Sequence, residues 1–305
     1  MPETARFDLD SYLQHIGWQG ERRPDAVTLR GVHLAHLRSI PFENLDALRG
    51  TAPSLGIADL TAKLLRSRRG GYCYEHNTLF AHALEALGFR VTRLAARVVV
   101  GADRLHSRPR THMALLAEAP DDPQPYLADV GFGALGALLE AVPLTAGTEF
   151  RDAGRRHRLV QAPHRGPLPM WVLEAHRPGK ADVTEQAAGR QHTEIAERTE
   201  AADGAENGWE AQYAFTVEPF EHPDFEVINW HIATNPRSPF SRRLHAQRLT
   251  ADGGHLSLDD RLLTTTSADG TVTERELTDE REVRRVLDEE FGIAVPGGLP
   301  LLTRS

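Results

Sequence analysis

Apolar side chains in the amino-terminal part of the chain recur at the spacing of α-helices. Residues 8–17 place them every three or four positions, and a second such run extends from about residue 25 or 28 to the break before Pro41. A third run, CYEHNTLFAHALEAL, starts at Cys73 and is followed by Gly88, a common helix stop. This part of the chain is therefore predicted to be helical.

The period changes to that of β-strands after Gly88. Short apolar runs over 91–101, 110–118 and 125–133 are bounded by Gly, Pro and Asp, which predicts a sheet or a barrel. The stretch 177–208 is polar, alanine-rich and nearly free of large apolar side chains, so we expect an exposed excursion. The remaining segments predict a strand over 210–220, a helix over 224–235, a β-rich stretch over 241–277 and a closing amphipathic helix over 279–292.

Composition argues against several classes of protein. The 305 residues carry a formal net charge of -8, whereas nucleic-acid binding needs a clustered positive surface. We find no run of about 18 apolar residues and no signal-peptide pattern, so we expect a cytoplasmic protein without a membrane partner. The length favours two or three packed units. Because the chain has one cysteine, it can form neither an intramolecular disulfide nor a cysteine-rich zinc site.

Cys73 stands where a predicted helix begins. A helix amino terminus and a neighbouring imidazolium both favour the thiolate, the form of cysteine that attacks electrophiles. Arg68, Arg69 and two glycines precede it, so positive potential and a close backbone approach are also expected here. The alternative is an inert, packed thiol, since free cysteines are often buried in cores.

His112 and Asp129 lie in consecutive strand-like runs joined by AEAPDDPQP. If these runs form a hairpin, the two side chains come within reach of each other across neighbouring strands. An Asp129 carboxylate that accepts a hydrogen bond from Nδ1 of His112 would orient the ring as a base for Cys73. The spacing is compatible with a Cys-His-Asp triad but does not specify one, because the chain holds 15 histidines.

Several segments together resemble the arylamine N-acetyltransferase family. RRGGYCYEHNTLF is similar to the family's signature around its nucleophile, and YLQHIGWQG and LRGVHLAHLRSIPFENLD are similar to its amino-terminal pattern. RPRTHM, DVGFG and YAFTVEPFEHPDFEVINWHIATNPRSPF follow in the family's order. The resemblance extends over about residues 8–260.

The resemblance implies an α+β fold with an N-terminal helical bundle, a central β-barrel and a C-terminal α/β lid. The triad would lie at their junction, in an arrangement like that of cysteine proteases. We then expect a helical unit over 1–92 that carries the nucleophile. A barrel unit over 93–222 would carry His112 and Asp129, with the polar insertion at about 177–208, and a lid would occupy 223–305.

The resemblance also implies a ping-pong acetyl transfer to an arylamine or arylhydrazine. Cys73 would take the acetyl group from acetyl-CoA, His112 would act as base and then as acid, and Asp129 would orient His112. Glu75 and Asn77 are expected to hold the surrounding loops. We expect no permanently bound cofactor and no metal, because His33 and His36 stand without further ligands at metal spacing. The residues implied to contact substrate or CoA are Phe42, Arg110, Thr111, Gly131, Phe132 and Gly133.

The sequence defines the acceptor of the acyl group less closely than it defines the catalytic reaction. ALGALLEAVPL replaces the family's proline-rich continuation after Gly133, and the polar stretch before Trp209 is longer than in compact members. An amide synthase of the same family, which would release a polyketide from a carrier protein by amide or macrolactam formation, keeps the triad and changes the donor. A non-catalytic binding protein that retains the fold is a third hypothesis.

Overall fold

The structure, a computed structural model, describes residues 7–152, 155–176 and 208–302. Helices dominate before residue 88 and strands dominate after it. Side chains cap the first two helices: Asp8 accepts from the N–H of Ser11, and Asp25 accepts from the N–H of Thr28. The helices are α1 (Leu9–His15), α2 (Ala26–Ser39), α3 (Leu45–Leu48), α4 (Ile57–Leu60, continued by a π turn over Thr61–Leu65), α5 (Cys73–Leu87), α6 (His222–Thr234), α7 (Pro239–Arg242) and α8 (Glu280–Glu289).

An eight-stranded antiparallel sheet forms the centre of the molecule, with the strand order β5-β4-β3-β2-β9-β8-β7-β6. Ala146, just beyond β5, forms a bridge to Leu159 of β7, so the two ends of the sheet nearly close into a barrel. The strands are β2 (Arg90–Val98), β3 (His112–Glu118), β4 (Tyr126–Ala128), β5 (Val142–Pro143), β6 (Glu149–Asp152), β7 (Arg155–Ala162), β8 (Met170–His176) and β9 (Trp209–Pro219).

A second, five-stranded sheet has the order β1-β10-β11-β12-β13. Its first strand comes from the amino-terminal part of the chain, where Phe42 pairs with Gln247. Helix α8 buries Val283, Val286 and Leu287 in the apolar cluster that this sheet contributes to. The strands are β1 (Phe42–Glu43), β10 (His245–Leu249), β11 (His255–Asp259), β12 (Leu262–Thr266) and β13 (Val272–Glu276).

Helix α5 is the central helix of the molecule. Twelve of its fifteen residues are buried, and it packs against β2 and β3 of the large sheet. It ends at Gly88, whose φ of 97° lies in the left-handed region that favours glycine. Its first residue, Cys73, belongs to a cluster of side chains that also contains Phe42 and Met113. The nucleophile candidate is therefore held where helix α5, strand β1 and strand β3 meet.

The predicted fold class and most predicted elements are confirmed. The structure adds strands β1, β5, β6, β7 and β8, which the sequence pattern did not predict. The polar stretch 177–208 lies outside the described residues apart from Gly208. The division into three units at 92/93 and 222/223 stays a prediction. Among the described residues, none of the helices has the length and apolar character needed to cross a bilayer.

Candidate active site

Cys73 is the first residue of α5. Its neighbour Tyr72 is extended and donates its N–H to Oε2 of Glu75 at 3.2 Å, which fixes the start of the helix. The thiol is 4% exposed, and Sγ lies 4.0 Å from the carbonyl oxygen of Thr111. Gly70, which precedes this turn, lies against Pro41, since an added Cβ would stand 1.8 Å from the Pro41 carbonyl oxygen. The two glycines before the cysteine thus allow the close approach that the sequence predicted.

His112 begins β3, and Asp129 follows directly after β4. The two strands form the predicted hairpin, with Leu115 paired to Ala128. Continuing this register places Asp129 opposite Ala114, so His112 and Asp129 are diagonal neighbours. Their side chains meet in the interior, where Nε2 of His112 lies 2.6 Å from Oδ2 of Asp129.

The orientation of the His112 ring differs from the prediction, because Nε2 rather than Nδ1 bonds to Asp129. Diagonal partners in an antiparallel pair are about 7–8 Å apart, whereas directly opposed partners are about 4.5–5.5 Å apart. The nitrogen farther from the backbone is therefore the one that reaches the carboxylate. Nδ1 is left as the ring nitrogen that can serve Cys73, whose thiol interacts with His112.

Electrostatics favour a charged pair. Burial by itself lowers the pKa of His112, but the charge and the hydrogen bond of Asp129, followed by Cys73, raise this pKa to about 10. Burial by itself raises the pKa of Asp129, yet His112 and the hydrogen bonds from Asn77 and Gly131 bring it below its ordinary value. An imidazolium beside Cys73 is thus stabilised at neutral pH.

The turn after β4 is held by hydrogen bonds from three successive backbone N–H groups. Asp129 N–H donates to Nε2 of His33 at 3.0 Å, Val130 N–H donates to Oδ1 of Asn77 at 3.1 Å, and Gly131 N–H donates to Oδ1 of Asp129 at 2.9 Å. Nδ2 of Asn77 also donates to Oδ1 of Asp129 at 2.9 Å. Each donor at this buried turn therefore has a side-chain acceptor.

Phe42, Phe132 and Gly133 lie around the triad candidates. Phe132 packs edge-on to the His112 ring, with centroids 5.3 Å apart. Gly133 has a φ of 60°, and an added Cβ would stand 2.5 Å from the ring of Phe42. Gly131 lies as tightly against Cys73, since its Cβ would stand 2.7 Å from Cα of Cys73. No larger side chain fits at either glycine without moving its neighbour.

Arg110 and Thr111 lie beside the site in different ways. The carbonyl oxygen of Thr111 accepts from the hydroxyl of Tyr74 at 2.5 Å and faces the thiol. The guanidinium of Arg110 bonds to Glu218 at 2.9 Å and lies over the ring of Phe220. Arg110 therefore has partners within the protein, so any CoA phosphate would compete with Glu218 for it.

The arginines before Cys73 do not supply free positive charge. Nε of Arg69 bonds to Oε1 of Glu43 at 2.7 Å, and Arg68 pairs with Asp288 near the surface. Lys63 lies next to this group, within 2.5 Å of Asp46 and 2.6 Å of Glu75. The acidic partners of this buried network balance the cations, so the prediction of an excess positive potential from these two arginines is not supported.

Sequence reasoning did not identify His33 or Tyr213 as neighbours of the triad candidates. The sequence pattern indicates His33 only as half of a helical histidine pair. Tyr213 lies on β9, far along the chain, with its ring centroid 5.1 Å from that of His112. The position of His33 on the α2 face that also carries buried Leu29, Val32 and His36 was the available signal. Among the described residues, no group of three or more His, Cys, Asp or Glu side chains is arranged to hold a metal.

Comparison with known proteins identifies the family. The sequence profile of an N-acetyltransferase family matches residues 25–299. The arylamine N-acetyltransferase of Mycolicibacterium smegmatis is 37% identical over 248 residues, which cover 81% of this chain and 78% of that protein. The arylamine N-acetyltransferase of Escherichia coli is 32% identical over 288 residues, which cover 94% of this chain and 89% of that protein.

Solved structures give the same assignment. The arylamine N-acetyltransferase of Nocardia farcinica matches with a TM-score of 0.79 and 38% identity, covering 97% of this chain and 95% of that one. The Mycobacterium marinum arylamine N-acetyltransferase in complex with CoA matches with a TM-score of 0.77 and 33% identity, covering 94% of this chain and 93% of that one. The chain described here therefore belongs to the arylamine N-acetyltransferase family of acyltransferases.

Proposed function

We propose that this protein transfers an acetyl group from acetyl-CoA to the nitrogen of an arylamine or arylhydrazine through a thioester on Cys73. The observation that carries the proposal is the buried hydrogen bond between His112 and Asp129, next to the chain's single cysteine. The buried carboxylate of Asp129, hydrogen-bonded to His112, stabilises the imidazolium that a thiolate needs. Membership of the family supports the same chemistry.

In the first half-reaction the Cys73 thiolate attacks the carbonyl carbon of the acetyl group. A new C–S bond forms to Cys73, and the C–S bond to CoA breaks. The CoA thiolate takes the proton from the His112 imidazolium and leaves as free CoA. The products are S-acetyl Cys73 and a neutral imidazole whose Nε2–H still donates to Asp129.

In the second half-reaction the amine nitrogen attacks the thioester carbonyl. His112 takes a proton from the attacking nitrogen, the bond between carbon and Sγ of Cys73 breaks, and the acetylated amine leaves. The thiolate and the imidazolium are thereby restored. The N–H groups of Cys73 and Tyr74 at the start of α5 are the natural donors for the oxyanion of each tetrahedral intermediate.

The residues around this pair have supporting roles in the proposal. Phe132 presents its ring to the acceptor and packs on His112, and Phe42 closes the opposite side against Gly133. Gly131 allows the chain to pass close to Cys73. Thr111 and Arg110 are proposed to lie along the path of CoA. The CoA complex of the Mycobacterium marinum relative supports acetyl-CoA as the donor, and the cytoplasmic location stays a prediction.

The test is a donor and acceptor dependence measured on purified protein. Free CoA, detected as a thiol, should accumulate beyond the one equivalent released by acetylation of Cys73 only when acetyl-CoA and an aromatic amine are both present, and an arylhydrazine should be able to replace the amine. A ping-pong mechanism predicts parallel lines in double-reciprocal plots. If no CoA release were detected across a broad panel of amines and acyl-CoA donors, the proposal would be contradicted.

The amide synthase hypothesis keeps Cys73, His112 and Asp129 and changes the donor. A scan of acyl-chain length separates the two enzymes, because an amide synthase should ignore acetyl-CoA and accept long acyl groups, such as those on a carrier protein. A non-catalytic binder would form no adduct with either donor. Nothing among the described residues favours these two hypotheses over acetyl transfer.

A further inference from the structure

His33 joins helix α2 to the strand end that carries Asp129. The ring is completely buried, and its two nitrogens have different partners. Nε2 accepts from the backbone N–H of Asp129 at 3.0 Å, and Nδ1 donates to the carbonyl oxygen of Leu139 at 2.9 Å. Because an N–H can only donate and a carbonyl can only accept, these partners require a neutral ring protonated on Nδ1.

The surroundings keep this ring neutral and fixed. Phe80 of α5 packs edge-on against it, with centroids 5.7 Å apart. Burial, which outweighs the nearby Asp129 charge, lowers the pKa of His33 to about 4. The imidazole therefore keeps its acceptor nitrogen at neutral pH.

The backbone N–H of Asp129 has no hydrogen-bond acceptor on strand β3, since the ladder between β3 and β4 ends at Ala128. An unpaired buried N–H is costly, so the acceptor on α2 determines where the backbone of Asp129 lies. Asn77 on α5 accepts from the next N–H, that of Val130. Two helices thus hold the backbone N–H groups of Asp129, whose carboxylate meets His112, and of the next residue, Val130.

We propose that His33 is a positioning residue, whose neutral imidazole holds the Asp129 backbone so that its carboxylate meets Nε2 of His112. His33 touches no reacting atom and acts through Asp129. The proposal rests on the proposed function, because it assumes that the His112–Asp129 pair serves the Cys73 thiolate. The competing explanation is that His33 only fills the core.

A matched set of variants separates these explanations. His33→Gln can place a carbonyl oxygen near the position of Nε2 and so keep an acceptor for Asp129. His33→Asn is too short for that, but its amide can still donate to Leu139. His36→Gln is the control, since His36 lies three residues further along α2, is equally buried, and bonds to Tyr12 and His76 instead of Asp129.

The readouts are the pH dependence of Cys73 alkylation by iodoacetamide, and kcat and KM for acetyl transfer. For His33→Asn we expect alkylation at pH 7 to slow by about tenfold or more, with its pH midpoint moving toward about 8.5, the range of an ordinary thiol. We expect kcat to fall on the order of 100-fold with little change in KM for acetyl-CoA. His33→Gln should stay within about tenfold of wild type, and His36→Gln should keep the wild-type midpoint even if it is less stable.

The proposal would be overturned if folded His33→Asn kept the wild-type pH midpoint of Cys73 alkylation and the wild-type kcat. It would also be overturned if His36→Gln changed both quantities as much as His33→Asn does. If His33→Asn does not fold, His33→Leu, which also lacks the acceptor, takes its place. Loss of fold in both variants while His33→Gln folds would show that His33 supports the fold and not the site. Wild-type alkylation that rises only above about pH 8 would instead count against the proposed function itself.

Discussion

Nε2 of His112 donates to Oδ2 of Asp129 at 2.6 Å, and neither residue is more than 3% exposed. This bond fixes both the direction and the protonation of the ring. The Nε2 edge is bound to the carboxylate, so Nδ1 is the edge that exchanges a proton with Cys73 in the proposed mechanism. The remaining oxygen of Asp129 is also engaged, by Asn77 and by the N–H of Gly131.

Asp129→Asn is the first prediction. Oδ1 already accepts two hydrogen bonds, so the new NH2 group must occupy the position of Oδ2 and donate to Nε2. The ring would then carry its proton on Nδ1 and could not take one from Cys73. We expect kcat to fall on the order of 10⁴-fold, as for the equivalent change in other catalytic triads, measured as CoA release at saturating acetyl-CoA.

Asp122→Asn is the matched control, because it changes the same charge in the loop of the same hairpin. Asp122 accepts from Gln124 and Tyr126 and does not contact His112. It should leave kcat close to wild type. Equal activity in the two variants would mean that the buried carboxylate has no part in the reaction.

Gly131→Ala tests the close approach to Cys73, the proposed nucleophile. An added Cβ would lie 2.7 Å from Cα of Cys73 and 3.0 Å from its carbonyl oxygen, and backbone atoms of a buried helix cannot move aside cheaply. We expect a loss of about 1–3 kcal/mol in the free energy of unfolding and at least a tenfold loss in the rate of Cys73 alkylation. Gly297→Ala, where nothing lies within 4 Å of the added Cβ, is the control. Matching behaviour of the two variants would contradict this packing.

Lys63→Met tests the buried ion network at the start of helix α5, where Lys63 pairs with Glu75. Lys63 is 17% exposed and pairs with Asp46 and Glu75, and removing one partner of a buried pair leaves charge uncompensated. We expect a loss of about 3–5 kcal/mol in the free energy of unfolding, measured by urea denaturation at pH 7. Glu75→Gln added to Lys63→Met should recover part of that loss, and a double variant less stable than Lys63→Met would contradict the network.

Stability should fall as the pH drops below about 6.5, the ordinary value for histidine. Burial lowers the pKa of His33, His76 and His157 to about 4 and that of His255 to about 3. Below about pH 6.5 these histidines are protonated in the unfolded chain but stay neutral in the folded protein. Each of them therefore lowers the free energy of unfolding by up to about 1.4 kcal/mol per pH unit. Burial raises the pKa of Glu75 to about 7, so its effect on the free energy of unfolding has the opposite sign. Because Glu75 is a single group, it does not cancel the effect of the four histidines.

Urea denaturation between pH 7 and pH 5 measures this slope. His255→Leu removes one of the four histidines and should flatten the dependence by about one proton's contribution. A free energy of unfolding that stays level from pH 7 to pH 5 in the wild-type protein would show that these histidines are not buried in neutral form.

The sequence was sufficient for the parts of the site that follow from local pattern. The apolar stripe of α5 located Cys73 at a helix start, and the two strand-like runs located His112 and Asp129 in one hairpin. Which ring nitrogen meets Asp129 depends on a two-residue offset in the β3–β4 register, which the loop sequence does not specify. The contact from His33 spans 96 residues, so no local pattern contains it.

Strand β7 shows why part of the barrel was not predicted. Its buried positions include His157 as well as Leu159, and arginines stand between and beside them. A buried histidine reads as polar in a two-residue alternation, so the segment carries too weak an apolar signal for a strand. Its place in the sheet comes from pairing with β8.

The most direct test of the central claim is the intact mass of the protein after brief exposure to acetyl-CoA without an amine. We predict a gain of about 42 Da, the mass of one acetyl group replacing a hydrogen, located on Cys73 by peptide mapping, absent in Cys73→Ser and lost on addition of an aromatic amine. An unchanged mass in wild-type protein that is shown to release CoA with an amine present, or an adduct that persists in Cys73→Ser, would contradict the account.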